Sequence, residues 1–171
     1  MYIDTITPRV NKILRNSDSR NPFTIAKDLG IMVLFDESLD KLKGMYCVIK
    51  RNRIIIINSN LPENVQKIVC AHEIGHDVLH RDMAKLGALQ EFVLYDMKSR
   101  PEYEANMFAA ELLIDDSDVY NLAVEGYDMQ QIAGELETDI NLIGLKMTNM
   151  NNRGYNFNIG IQPHGDFLKE G

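Results

Sequence analysis

The sequence predicts an α+β fold, and three features carry that prediction. Three stretches rich in β-branched residues, "IMVLFD" (31–36), "GMYCVIK" (44–50) and "RIIIIN" (53–58), lie close together and read as a small three-stranded sheet. Two strong helical patterns follow, one through "NVQKIVCAHEIGHDVLH" (64–80) and one through "SRPEYEANMFAAELLI" (99–114). The rest of the chain is helical in cadence and ends in a polar tail. With 171 residues there is material for one ordinary core. That core is expected over 1–115, with 116–171 as a helical C-terminal extension packed on the same domain.

In chain order, residues 8–29 predict two short helices broken around Asn16–Asn21, with Gly30 as the stop. The second and third β-type stretches predict a hairpin turning near Arg51–Asn52, and the four isoleucines 54–57 predict a strand buried on both faces. The next helix is expected to be N-capped by Asn60, with Glu63 as its capping-box partner and Pro62 in the first turn. Val65, Ile68, Val69, His72, His76 and Leu79 then follow the 3/4 spacing of one helix face, which turns both histidines inward. Residues 82–99 are weakly patterned, a loop or short helix able to cover a cleft. Beyond Ile114 the pattern predicts helical pieces around 117–125 and 128–150, and "NMNNRGYNFN" (149–158) is irregular.

Composition removes some function classes. Apolar residues at 45% and charged residues at 25% are the balance of a soluble globular protein, and no aliphatic run exceeds the four isoleucines, far short of a membrane span. The N-terminal "MYIDTITPRV" has no cationic segment followed by an apolar one, so no secretory signal is expected. Two cysteines, Cys47 and Cys70, make no disulfide framework, and a reducing cytoplasm is the expected location. The net charge of −7 is uneven: residues 1–100 hold 15 Lys/Arg against 12 Asp/Glu, residues 101–171 hold 3 against 13. An acidic second half repels phosphate and argues against nucleic acid as its partner.

The chemistry centres on "HEIGH" (72–76). Residues i and i+4 stack one turn apart on a helix, so the imidazoles of His72 and His76 can reach one ion. Glu73 projects about 100° around the helix from His72, too far aside to ligate but able to reach a water in front of the metal. That is the place of a general base. The competing reading is a pair of satisfied core histidines sharing a face. His80 continues the series but lies about 12 Å along the axis from His72, so those two cannot share an ion. It reads as a helix-terminal residue at the negative end of the dipole.

A third ligand has to come from elsewhere. In the 99–114 helix the inward stripe is Ala105, Phe108, Ala109, Leu112 and Leu113. Glu102 lies about 50° from its centre, Glu104 and Glu111 about 110–130° away. Glu102 is therefore the favoured ligand, and Asn106, one turn later, is placed to accept the second N–H of a ligating histidine. Ser99-x-x-Glu102 is also a capping box, a structural use for the same carboxylate. One zinc ion per chain is the expected cofactor for a His₂Glu set, with a fourth position open.

Together, "HEIGHDVLH" and "EYEANMFAAELLI" resemble the ImmA/IrrE family of metallo-endopeptidases, zincin-like proteins of the gluzincin type. The resemblance covers roughly Pro22 to Ile114. It implies His72, His76 and Glu102 as metal ligands, Glu73 as base and Asn106 as support behind a ligand. It also implies a site-specific endopeptidase that relieves repression in a mobile element, phage or stress regulon by cleaving an Xre-type helix-turn-helix repressor. The chain departs from the family's common pattern after "LLI", where Asp115–Asp116 replace a proline.

Two other classes compete. The same ligands would serve a zinc-stabilised anti-repressor that binds without cutting. Alternatively, "MQQIAGELETDINLIGLKMTNM" (129–150) has the cadence of a DNA-binding helix-turn-helix. Its second helix carries only Lys146 as a cation, with Glu135, Glu137 and Asp139 nearby, so a helical hairpin packed on the core is expected instead. Tyr46, Tyr95, Tyr103 and His164 are all candidates for stabilising an oxyanion. An extended substrate could add to a sheet edge of the Gly44–Asn58 hairpin. Cys70 should point away from the metal face, the methionines Met107, Met129, Met147 and Met150 should fill core, and Asp77 reads as a solvated surface charge.

Overall fold

A computed structural model describes residues 3–84, 89–91 and 99–159. The fold is α+β. Helix α1 (Ile3–Ser17) and helix α2 (Pro22–Asp28) precede strand β1 (Met32–Asp36), then β2 (Gly44–Ile49) and β3 (Asn52–Asn58). Helix α3 (Glu63–Leu79) leads through the short α4 (Arg81–Ala84) and β4 (Leu89–Glu91) to α5 (Arg100–Leu113). Helices α6 (Asp116–Val124), α7 (Met129–Glu135) and α8 (Ile140–Asn152) complete it.

The three expected strands form a mixed sheet, and the three-residue β4 adds to its margin, giving the order β1-β3-β2-β4. β1 runs parallel to β3, with Val33 beside Ile55, while β2 is antiparallel to β3, with Tyr46 beside Ile55. The hairpin turns at Lys50–Arg51, one residue earlier than expected, and both residues adopt positive φ, the backbone of a tight two-residue connection. The isoleucines divide between two faces. Ile55 and Ile57 are fully buried, whereas Ile54 and Ile56 are half-buried, because the second face of the sheet has little over it; their β1 neighbours Met32 and Leu34 are exposed. The hairpin does not offer a whole free edge either, since β4 pairs with Gly44–Tyr46.

Helix α3 lies between the sheet and α5, and every residue from Ile68 to Asp77 is buried. Its start differs from the expectation: Pro62 is the N-cap and makes no side-chain cap bond. Asn60 instead donates from its side chain to Glu37 O at 2.8 Å, tying the loop to a short 3-10 turn over Glu37–Leu39. Helix α5 begins at the expected Ser99, whose hydroxyl accepts from Glu102 N. Asp115, directly after the "LLI" that ends α5, caps α6 by accepting from Ser117 N at 2.9 Å.

Helix α5 packs on α1 and α8 as well as on α3, so the C-terminal helices close the core from the side opposite the sheet. In α8, Leu142, Ile143, Leu145, Met147 and Met150 are buried. Lys146 is only 1% exposed and pairs with Glu111 at 3.1 Å and Asp116 at 2.6 Å. The helix with the cadence of a DNA reader thus spends its lysine inside the protein. Met107, Met147 and Met150 are core, and Met129 packs against it. Among the described residues no helix is long and apolar enough to cross a membrane.

Candidate metal centre

The two central helices meet where Gly75 of α3 faces Ala105 and Phe108 of α5. A methyl group at Gly75 would sit 3.1 Å from Ala105 Cα and 3.2 Å from Phe108 Cβ. That close approach brings the first turn of α5 alongside the histidines of α3. His72 Nε2 and His76 Nε2 are 3.0 Å apart. Glu102 Oε2 is 3.2 Å from His72 Nε2, and Glu102 Oε1 is 3.5 Å from His76 Nε2. Among the described residues, His72, His76 and Glu102 are the group of His, Cys, Asp or Glu side chains that could hold a metal ion.

Donor chemistry tests whether a cation fits. Asn106 Oδ1 lies 2.9 Å from His72 Nδ1, and an amide oxygen only accepts, so the hydrogen is on Nδ1. In the neutral ring this turns the Nε2 lone pair toward His76 and Glu102. Three electron-rich atoms then face one another across a buried space, an arrangement that calls for positive charge at its centre. His76 does not supply it at neutral pH. Burial pulls its pKa down to about 4, the neighbouring Glu102 carboxylate opposing this only in part. For Glu102, burial works against ionisation, but the polar imidazoles of His72 and His76 beside it outweigh this and hold the carboxyl far below its ordinary range. A neutral His76 beside an ionised carboxylate offers the ligand forms a divalent metal takes. Size agrees as well: ligand atoms about 2.0–2.1 Å from a tetrahedral zinc lie roughly 3.3 Å from one another. The distances of 3.0, 3.2 and 3.5 Å bracket that value.

The other predicted residues fall as follows. Glu73 is fully buried, on the side of α3 toward β2, where a Cβ added to Gly44 would sit 3.2 Å from Glu73 Oε1. Glu102 serves only half a capping box: its backbone N–H bonds Ser99 while its carboxylate turns to the histidines. Glu104 and Glu111, which lie well to the side of the apolar stripe, are buried, because each meets a cation or a histidine there. Glu104 meets His80 and Arg100, and Glu111 meets Lys146. Asp77 is not a solvated surface charge. It is 1% exposed and accepts from Tyr46 Oη at 2.6 Å, Arg53 at 2.8 Å and Arg81 at 2.9 Å. Tyr46, whose hydroxyl is committed to Asp77, therefore drops out as an oxyanion donor. Tyr103 is half-buried on α5, and Tyr95 and His164 lie outside the described residues. Cys70 is fully buried in the apolar core.

Comparison with known proteins fits this geometry. Residues 26–147 match the IrrE N-terminal-like domain of the M78 peptidases, a match over more than half the chain. The chain belongs to that ImmA/IrrE family. Its relatives include an uncharacterized immunity region protein 2 of Bacillus phage phi105, 35% identical over 111 residues, 65% of this chain and 69% of the relative. They also include metallopeptidase ImmA of Bacillus subtilis strain 168, 27% identical over 133 residues, 75% of each chain. For this ImmA/IrrE family member, the matched segment spans the sheet, both central helices and most of α8.

Proposed function

We propose that the protein is a zinc-dependent endopeptidase of the cytoplasm, acting on a helix-turn-helix repressor protein of the Xre type. The observation that carries the reading is the convergence of His72 Nε2, His76 Nε2 and the Glu102 carboxylate within 3.0–3.5 Å of one another. Support for a peptidase comes from the family, and support for a metal from the name of the Bacillus subtilis relative. Support for a role in relieving repression comes from the phage relative's name as an immunity region protein. Two unpaired, buried cysteines accord with a reducing compartment.

In this reading His72, His76 and Glu102 hold the ion, and Asn106 fixes the ring of His72 through Nδ1. A zinc ion there would lower the pKa of water to about 7 and polarise the scissile carbonyl. Glu73, held in a buried position beside β2, takes a proton from the attacking water and delivers it to the leaving amine. No covalent intermediate on the protein is required. The acidic C-terminal helices, with Lys146 enclosed in ion pairs, favour a protein partner over nucleic acid.

The test is Glu73→Gln, purified and incubated with a purified helix-turn-helix repressor of the Xre type, the substrate class proposed here. The variant should bind zinc like the wild type and lose at least about 100-fold in cleavage rate. Unchanged cleavage would remove Glu73 as the base. Relief of repression in cells by the uncleaving variant would favour a binding anti-repressor over a protease.

A further inference from the structure

His80 closes α3, yet its side chain is not used to cap the helix. The cap is made by its backbone N–H, which donates to His76 O at 2.8 Å. Both ring nitrogens are engaged elsewhere. Nδ1 is 3.1 Å from Nδ1 of His76, and Nε2 is 2.9 Å from Glu104 Oε2. Glu104 is itself held by Arg100 Nε at 2.7 Å, and both His80 and Glu104 are 8% exposed. An enclosed chain of side chains thus runs from α5 to the back of one of the two histidines that face Glu102.

The polarity of this chain follows from its carboxylate end. An ionised Glu104 only accepts, so His80 carries its hydrogen on Nε2. With that hydrogen on Nε2, the ring of His80 presents a lone pair at Nδ1, and the 3.1 Å contact is completed by the Nδ1 hydrogen of His76. That leaves the Nε2 lone pair of His76 pointing at His72 and Glu102. We propose that His80 and Glu104 are positioning residues that fix the tautomer and orientation of His76 for metal binding, as Asn106 does for His72. The inference rests on the ligand set of the preceding section. It adds a second outer support, built from a histidine and a carboxylate on two different helices. Outer partners of ligating histidines orient the ring and raise its basicity, and their loss typically costs about 10- to 100-fold in metal affinity.

The experiment measures zinc dissociation constants by competition with a chromophoric chelator, for the full chain and its variants. Circular dichroism of the metal-free proteins controls for folding. His80→Phe keeps ring shape but offers no acceptor, and should weaken zinc binding about 10- to 100-fold. His80→Asn restores an acceptor opposite His76 Nδ1 and should recover most of that loss. Glu104→Leu should weaken binding in the wild-type background but add little to His80→Phe, because it acts through the same ring. Equal affinity for wild type and folded His80→Phe overturns the proposal while leaving the ligand set intact. Absence of stoichiometric zinc in the wild type overturns the ligand set and this inference with it. A measurement without substitution covers the case in which His80→Phe does not fold. Imidazole ¹⁵N shifts of the zinc-loaded wild type should show His76 protonated at Nδ1 and ligating through Nε2, and the reverse assignment overturns the proposal.

Discussion

Tyr46 Oη donates a 2.6 Å hydrogen bond to Asp77 Oδ1, joining the middle of β2 to the last turn of the helix that carries both histidines. Burial and the adjacent carboxylate both push the tyrosine pKa upward, so the hydroxyl stays a donor across the ordinary pH range. Arg53 and Arg81 complete the shell of Asp77, each guanidinium reaching solvent on its far side. Asp77→Asn keeps the shape and removes the charge. It should cost about 2–3 kcal/mol, less than a fully enclosed pair because both arginines retain water. Tyr46→Phe, which leaves Asp77 its two arginines, should cost about 1 kcal/mol. Urea unfolding of metal-free protein measures both, and an Asp77→Asn variant as stable as wild type would show that this shell is not formed.

Acid should destabilise the metal-free protein through His76. Its pKa of about 4 lies below the ordinary histidine value of 6.5. Between those values the unfolded chain binds a proton that the folded chain does not. Stability therefore rises with pH across this window, is complete above about 6.5 and is lost progressively toward pH 4. One such group gives a slope of at most about 1.4 kcal/mol per pH unit. Glu102, with its carboxyl held low, adds loss of the same sign below its ordinary range. Unfolding curves in a chelating buffer from pH 4 to 7 should show the slope in wild type and a smaller one in His76→Gln. Parallel curves would contradict the buried neutral ring.

What was legible in the sequence follows from which interactions lie within one helix. His72 and His76 are separated by one turn, so their common face is a property of α3 alone, and the stripe on α5 brings Glu102 to it by the same arithmetic. Asp77 reads as a surface charge in the sequence for one reason: a helix wheel assigns a direction but not what waits there. The groups that enclose Asp77 include Tyr46 and Arg53 from the sheet, and Glu104 is enclosed with His80, 24 residues away in the chain. The spacing His72-His76-His80 was the available signal for the third ring. Excluding His80 from the ion on distance left open its contact with the nearer ring. The short β4 was not legible because its pairing, rather than any pattern of its own, makes it a strand.

Helix–helix spacing at Gly75 should control the metal centre from outside it. Glycine here serves close approach, since a methyl group would crowd Ala105 and Phe108 at 3.1–3.2 Å and push them by a few tenths of an ångström. Gly75→Ala would gain helix propensity of about 1 kcal/mol and lose about 1–3 kcal/mol to overpacking. The first offsets part of the second, leaving a net loss of about 0–2 kcal/mol, but only the second separates α3 from α5. The variant should therefore melt within a few degrees of wild type while binding zinc more weakly. An unchanged zinc affinity would mean that the helices accommodate the methyl without moving Glu102 from the histidines.

Gly44 should separate folding from catalysis. A methyl group there meets Val69 Cγ1 at 2.4 Å, Glu73 Oε1 at 3.2 Å and Ile56 O at 3.4 Å. The first contact is impossible without movement, and Val69 is fully buried, so Gly44→Ala alone should cost about 1–3 kcal/mol. Adding Val69→Ala removes the clashing methyls and should return part of that stability, at the expense of the packing those methyls supplied. The second contact survives the rescue, since Glu73 still faces the new methyl. The double variant should consequently fold and hold zinc, because none of the three proposed ligands touches residue 44, yet cleave more slowly than Val69→Ala alone. Comparing those two in cleavage rate and zinc affinity isolates the placement of Glu73. Equal rates would show that the glutamate does not depend on the bare backbone of β2 for its position.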